Sequence, residues 1–375
     1  MAVDKDRVEK TFLDLLRINS PSKHERGVAG YVKPRLTAMG FEVEEDDAGS
    51  KIGGDTGNII AFKKGMVPNA RAIFLCCHMD TVEPTEKLKV KVEDGVVRSD
   101  GTTILGADNK AGIAAVIEGI GSFLATGKPH GDIQVLLDIS EEIGLLGAKS
   151  MDPSKIRGEF GYVLDSGAPV AAIVVSAPSH ESIQVEIEGK AAHAGLEPEK
   201  GVSAIVAASN AISKMKLGRI DFETTANVGV IEGGKARNIV PDRCGVKAEA
   251  RSRNEQKLVE QVEHMRRVFE EEAARVGAKA QVKTTREYST FRFTQDDEIV
   301  RLAVEAARRV GIESQLQDGG GGSDANIFNA AGIPAVVLGV GYNDPHTPTE
   351  SIRLDDLAKA AEFAASLITV AAEGN

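Results

Sequence analysis

Residues able to hold a cation stand where apolar runs of this chain end. His78-Met-Asp80 directly follows the run Arg71-Ala-Ile-Phe-Leu-Cys-Cys77. Glu141 and Glu142 follow Ile133-Gln-Val-Leu-Leu-Asp-Ile139 after a single Ser. Asp165 ends Tyr162-Val-Leu164, and His346 lies a few residues beyond the run 335–340. A fifth candidate, Asp108, sits in Gly106-Ala-Asp-Asn-Lys110, just ahead of an Ala-rich segment. In His-x-Asp the two side chains stand on the same side of an extended segment, so one can ligate while the other fixes it by a hydrogen bond. The adjacent Glu141 and Glu142 point in different directions, so one can coordinate while its neighbour faces a substrate as a base. Two carboxylates and one imidazole per cation, with one carboxylate shared, suit paired zinc ions. Nitrogen and oxygen donors without Cys also admit cobalt or manganese.

Taken singly, each piece has an ordinary reading. A Glu-Glu pair suits a solvated helix start, and a lone Asp at a strand end is as readily a helix cap. The run Gly319 to Gly322 is a flexible turn or a phosphate cradle, but no Gly-Lys-Ser/Thr follows it, which argues against a nucleotide loop. His24, His130 and His264 are most simply solvent-facing, and His180 is undecided. His193, in Gly189-Lys-Ala-Ala-His193-Ala-Gly195, reads equally well as a residue starting a helix or as a substrate contact reaching across a cleft. Cys76 and Cys77 fit buried strand positions better than ligand positions. The joint placement of the candidates is what carries weight.

The elements that must position them alternate. In an open α/β sheet the C-terminal ends of parallel strands form the ligand crevice, so four strand ends bring these side chains to one rim. Ser22-Lys-His-Glu25 reads as a capping box opening a helix that runs toward Met39, with Gly40 as its stop. Strands are expected near 41–43 and 58–62, then over 71–77, 133–139 and 162–164, with a helix over 111–124. This predicts an α/β catalytic domain with a mostly parallel sheet flanked by helices. From about residue 178 the texture changes. A strand (183–187), a helix (202–215), two strands (226–231 and 244–250), a charged helix from about 255 and a strand (280–285) make the split βαβ, ferredoxin-like pattern of a small α+β domain. After about residue 293 the α/β texture resumes with a helix (298–310), a strand (335–340) and a terminal helix (354–372). The expected organisation is a discontinuous catalytic domain, 1–178 with 293–375, interrupted by an inserted lid or dimerisation domain, 179–292.

Composition excludes several classes. The 375 residues are 42% hydrophobic, enough for a sizeable core, which rules out disorder as the main state. Three Cys are too few for a disulfide scaffold, and no stretch approaches the roughly 18 apolar residues of a spanning helix. A formal charge of −11 argues against nucleic acid as a partner, because phosphate neutralisation needs a basic face. The first twenty residues read as an amphipathic helix carrying Glu9, Lys10, Asp14 and Arg17, unlike a secretory segment, so a cytoplasmic protein is expected.

These motifs are similar to those of the co-catalytic dizinc peptidases, the group of peptidase T, aminoacylase-1 and glutamate carboxypeptidase, and most closely to peptidase T-like tripeptidases. The match is spread over His78-Met-Asp80-Thr-Val82, Gly101-Thr-Thr-Ile-Leu-Gly-Ala-Asp108-Asn-Lys-Ala-Gly112, Glu141-Glu-Ile-Gly144, Val163-Leu-Asp165, Ala191-Ala-His193-Ala-Gly195 and Pro345-His346-Thr347. The resemblance implies that Asp108 bridges two zinc ions, with His78 and Asp165 completing one site and Glu142 and His346 the other. It implies that Asp80 holds His78, that Glu141 is the general base, and that the bond after Asp108 is cis. It further implies substrate contacts from His193 and from Arg251 in Ala248-Glu-Ala-Arg251, with Asn238 a weaker candidate. Two departures bear on substrate choice: the stretch from His78 to Asp108 is shorter than in typical peptidase T, and residues 319–325 read Gly-Gly-Gly-Gly-Ser-Asp-Ala where peptidase T has Gly-Gly-Thr-Asp-Gly-Ala.

The activity so implied is hydrolysis of short peptides by an aminopeptidase or tripeptidase that releases the N-terminal residue. A water bridging the metals would be the nucleophile, Glu141 would take its proton, and Arg251 would hold the substrate's C-terminal carboxylate. The same dimetal site suits a deacylase of N-acyl amino acids. A metal-binding scaffold with a dead site is disfavoured, because every expected ligand and the base are present. Similar proteins often form homodimers through the inserted domain, and the same is expected here.

Overall fold

A computed structural model describes residues 3–373, and they form two compact units. One comprises the residues up to Ser176 together with Arg292–Gly319 and the chain from Ser323 onward; the other comprises Ala177–Phe291 with Gly320–Gly322.

The first unit is built on a twisted sheet. Its strands run Glu42–Glu45, Ile59–Lys63, Ile133–Asp138, Ile73–His78, Phe160–Ser166, Ala335–Gly339 and Ala172–Ala177, with Gln315–Asp318 beside the last. The four in the middle, from Ile133–Asp138 to Ala335–Gly339, are mutually parallel. Every residue of Ile73–His78, Ile133–Asp138 and Ala335–Gly339 is buried, which is why these strands read as unbroken apolar runs. Ile73, Leu75 and Cys77 face the main core, whereas Phe74 points the other way and meets Phe328 edge-on at 5.1 Å between ring centroids. The sheet is therefore covered on both faces. The helix Ala107–Leu124 packs on two of the central strands and along the terminal helix Leu354–Glu373. A Cβ on Gly119 would lie 2.5 Å from the Ala361 carbonyl, so the two helices touch only because that position has no side chain.

The second unit is a five-stranded antiparallel sheet ordered Gly218–Arg219, Thr224–Gly233, Arg243–Ser252, Ser179–Glu188, Lys279–Tyr288. Counting its four long strands along the chain, the spatial order is 2-3-1-4, the split βαβ arrangement expected. Ile183, Val185 and Ile187 face helices Ala204–Lys214 and Glu255–Arg275, and the alternate Gln184, Glu186 and Glu188 are exposed. Among the described residues no helix is long and apolar enough to cross a membrane.

Three details differ from expectation. A small antiparallel sheet of Val90–Glu93, Val96–Ser99, Ser351–Arg353 and Tyr342–Asn343 was not anticipated; its strands are only two to four residues long, too short for their periodicity to stand out. Ser22 does not cap a helix. The helix starts at Arg26, and Glu25, instead of reaching back in a capping box, is buried with Oε1 accepting Lys23 N–H, Ser140 N–H and Ser140 Oγ–H. Three donors for one oxygen outcompete a single cap bond. His130, expected in solvent, is 2% exposed, with Nδ1 2.7 Å from the Gly131 carbonyl and its ring edge-on to Phe123.

Candidate metal centre

The strands of the first unit end at one rim, and the side chains there form overlapping groups: His78 with Asp108 and Asp165, Asp108 with Glu142 and His346, and His78 with Glu141 and Glu142. His78 is the last residue of its strand and Asp165 the next to last of its own. Asp108 lies at the start of the Ala107–Leu124 helix, where it and Asn109 keep non-helical dihedrals and their peptide bond is cis, as the resemblance implies. Glu141 and Glu142 follow Ser140, whose φ of +55° turns the chain sharply off the Ile133–Asp138 strand. His346 also has a left-handed φ, +64°, an uncommon conformation for a side chain of this size.

His78 Nε2 is 3.0 Å from Asp108 Oδ1 and 3.3 Å from Asp165 Oδ1. His346 Nε2 is 3.4 Å from the other Asp108 oxygen, Oδ2, and 3.1 Å from Glu142 Oε1. Asp108 thus offers one oxygen to His78 and the other to His346, and the donors within each group lie within 4.8 Å of one another. The site is closed at one end and open at the other, since the His78 side chain is 1% exposed and that of His346 is 50% exposed. Asp80 ties the rim together. Its carbonyl faces His78 Nδ1 at 2.9 Å, Oδ1 accepts Glu141 N–H, and Oδ2 accepts Glu142 N–H and Ser22 Oγ–H. Asn109 donates to Asp165 Oδ1 at 2.9 Å.

Electrostatics show what this set lacks. Burial alone would lower the His78 imidazole, but Asp165, Asp108 and Asp80 push it well above its ordinary value. Hydrogen bonds to Asp108 and Glu142 raise His346 to about 10. Burial, with the charge of Asp108 added, pushes Asp165 up to about 8, and burial likewise pushes Glu141 well above the usual carboxylate range. Crowded carboxylates here hold protons on both histidines, and a pair of divalent cations would supply that positive charge instead. Imidazole and carboxylate donors without thiolate fit zinc, cobalt or manganese.

All seven residues of the hydrolytic set, His78, Asp80, Asp108, Glu141, Glu142, Asp165 and His346, therefore lie together in the first unit. The three substrate candidates are in the second. His193 and Asn238 are exposed neighbours, joined by a hydrogen bond from Ala194 N–H to the Asn238 carbonyl. Arg251 is on the strand Arg243–Ser252, paired with Glu249 at 3.0 Å, and Glu249 is also 3.1 Å from His180 Nε2.

Several chemistry-bearing residues escaped the sequence reading. Glu25 holds the Ser140 turn from below. Glu350 is fully buried and accepts from Gly106 N–H and Asp108 N–H. Asp138 and Asp324 are fully buried with Cys76, their donor atoms within 4.8 Å of one another. The spacing His346-x-x-x-Glu350 was the one visible signal among them.

Residues 74–370 match the model of the peptidase family M20/M25/M40. An uncharacterized protein of Bacillus subtilis, YqjE, is 45% identical across 99% of this chain and 100% of its own length. The crystal structure of aminopeptidase PepT from Bacillus cereus superposes with a TM-score of 0.92 at 42% identity, covering 99% of both chains. That of a tripeptidase from Staphylococcus aureus gives 0.96 at 39% identity over the whole of both. A Bacillus subtilis protein of the same fold, 20% identical with a TM-score of 0.76, is described as a dinuclear metal binding peptidase; the two groups sharing Asp108 are a candidate metal site of this chain. The chain belongs to peptidase family M20/M25/M40.

Proposed function

We propose that the chain is a dizinc aminopeptidase acting on short peptides, tripeptides above all, from which it releases the N-terminal residue. The observation that carries this reading is the division of the two Asp108 oxygens between the His78 group and the His346 group, with Glu141 alongside. His78, Asp108 and Asp165 would hold one ion, and Asp108, Glu142 and His346 the other. Such ions supply Lewis acidity, polarising a carbonyl and making water more acidic. Glu141, in its ionised form, takes the proton of the attacking water and passes it to the leaving amine. Asp80 keeps both His78 and the Glu141–Glu142 turn in place for this. His193, Asn238 and Arg251 are proposed to bind the substrate, with Arg251 on its C-terminal carboxylate. The second unit is proposed to act as a lid and as the contact of a homodimer.

The test is Glu141→Ala assayed on di-, tri- and tetrapeptides and on N-acetyl amino acids with Zn²⁺, Co²⁺ or Mn²⁺. Turnover of tripeptides should fall at least about 10²–10⁴-fold, with two metals still bound. Near-normal turnover would remove Glu141 from the mechanism. A wild-type preference for N-acetyl amino acids would make the chain a deacylase instead.

A further inference from the structure

Ahead of the regular part of the Ala107–Leu124 helix the chain is irregular: Gly106 has a left-handed φ of +79°, and Asp108 and Asn109 keep non-helical dihedrals. No side chain of this stretch takes its backbone N–H groups in the usual capping way. The N–H groups of Gly106 and Asp108 are instead taken by a residue more than 240 positions away. Glu350 Oε2 accepts from Gly106 at 2.7 Å and Oε1 from Asp108 at 2.9 Å. Glu350 is 0% exposed and stands four residues after His346. Backbone N–H groups in such an irregular, buried stretch need acceptors, and the Glu350 carboxylate gives one oxygen to each. One carboxylate therefore joins the loop that carries His346 to the backbone of Asp108 itself.

We propose that Glu350 is a positioning residue for the dimetal site, setting how Asp108 spans the two ligand groups. The proposal rests on the functional reading above, and extends it to a residue outside the ligand set. His346 Nε2 and Asp108 Oδ2 are 3.4 Å apart, and both belong to segments that Glu350 clamps together. The clamp requires a carboxylate at this length. In Glu350→Gln the amide oxygen can accept one N–H, but the amide nitrogen then faces the other, donor against donor. In Glu350→Asp the charge stays, but the side chain is one methylene shorter and cannot keep both bonds at their present lengths.

The experiment uses full-length protein stripped of metal and titrated with Zn²⁺ or Co²⁺ against a chromophoric chelator. Thermal melting of the apo forms and kcat and KM on a tripeptide are recorded in parallel. Glu350→Gln is expected to bind metal about 10–100-fold more weakly, the range typical of groups that orient a metal ligand. Its kcat should fall with KM changed little, and excess metal should restore part of the kcat. Glu350→Asp should lie between it and wild type, and apo melting of Glu350→Gln should stay close to wild type. Wild-type metal affinity in both variants would overturn the proposal. So would apo forms of both that no longer fold, because Glu350 would then serve the fold as a whole. Failure of the underlying reading looks different: wild type itself would not bind two metals.

Discussion

Asp138 and Asp324 bury two carboxyls beside each other and beside Cys76. Apart from a proton shared between the two acids, Asp138 Oδ1 and both oxygens of Asp324 have no hydrogen-bond donor among the described residues, and the Cys76 sulfur is 3.9 Å from Asp138 Oδ2. Burial, then the neighbouring acid, pushes Asp138 well above the ordinary carboxylate range, and burial raises Asp324. Two like charges so placed cannot both ionise, so the folded pair keeps a proton that the unfolded chain gives up. The folded state then binds more protons than the unfolded one above about pH 4, and the pair's contribution to stability falls as pH rises toward neutrality. Asp324→Asn supplies the missing donor in the same shape. It should leave stability at pH 7.5 unchanged or higher, with less loss between pH 5 and pH 7.5 than wild type shows. Asp324→Ala should cost about 1–3 kcal/mol, the penalty of a buried polar group left without its partner. Urea denaturation of the apo proteins at the two pH values measures both. A pH dependence in Asp324→Asn as steep as that of wild type would show that the pair does not hold the proton. Asp138 was not marked in the sequence, because an Asp inside an apolar run looks like any strand-end Asp, and Asp324 stood out only as part of the 319–325 run.

At the scale of elements, the site was legible where physics writes it plainly. Strands buried on both faces become continuous apolar runs, so their ends, and the His78, Glu142 and Asp165 side chains placed there, could be read directly. The four-residue strands 90–93 and 96–99 are too short to show that contrast, and Ser22 and Glu25 fit a cap pattern while serving Asp80 and Ser140. How the first turn of the Ala107–Leu124 helix meets the Phe160–Ser166 strand could not be read at all, because it depends on an absent side chain. A Cβ on Gly112 would lie 2.1 Å from Asn109 Oδ1 and 2.4 Å from the Leu164 carbonyl. Neither can step aside freely: Asn109 is bonded to Asp165, and Leu164 is the backbone just before it. Gly112→Ala must therefore push the helix start away from the strand end. We expect a loss of about 1–3 kcal/mol, the usual cost of overpacking, together with weaker metal binding. Denaturant melts and metal titration of the same preparation check it. A stable variant with wild-type metal affinity would mean that the Asp108 and Asp165 segments tolerate separation.

The whole molecule divides its labour between units that each close on themselves. In the first, Phe293 N–H donates to the Val175 carbonyl at 2.7 Å, so the two chain ends flanking the insertion are tied within that unit. In the second, Thr290 Oγ donates to the Ala177 carbonyl at 2.6 Å, tying its own two ends, and a separate hydrophobic core runs through Val185, Leu258 and Phe269. An inserted domain entered and left at one point can be excised without stretching its host. Replacing residues 177–291 by a few glycines should therefore leave a folded first unit with all the proposed ligands and Glu141, and with the metal affinity of the full-length protein. Peptide turnover should nonetheless collapse, because His193, Asn238 and Arg251 leave with the insertion. A hydrogen bond to a charged group is worth about 1.5–3 kcal/mol, so losing the Arg251–carboxylate contact alone should cost about 10–150-fold in kcat/KM. The excised protein is expected to lose more than that. Metal titration and tripeptide kinetics on it separate the alternatives. Two metals with near-normal turnover would show that the first unit binds peptides unaided and that the three substrate residues have another use. A folded product unable to bind metal would show that the centre itself needs the insertion, contrary to the ligand set, which lies entirely in the first unit.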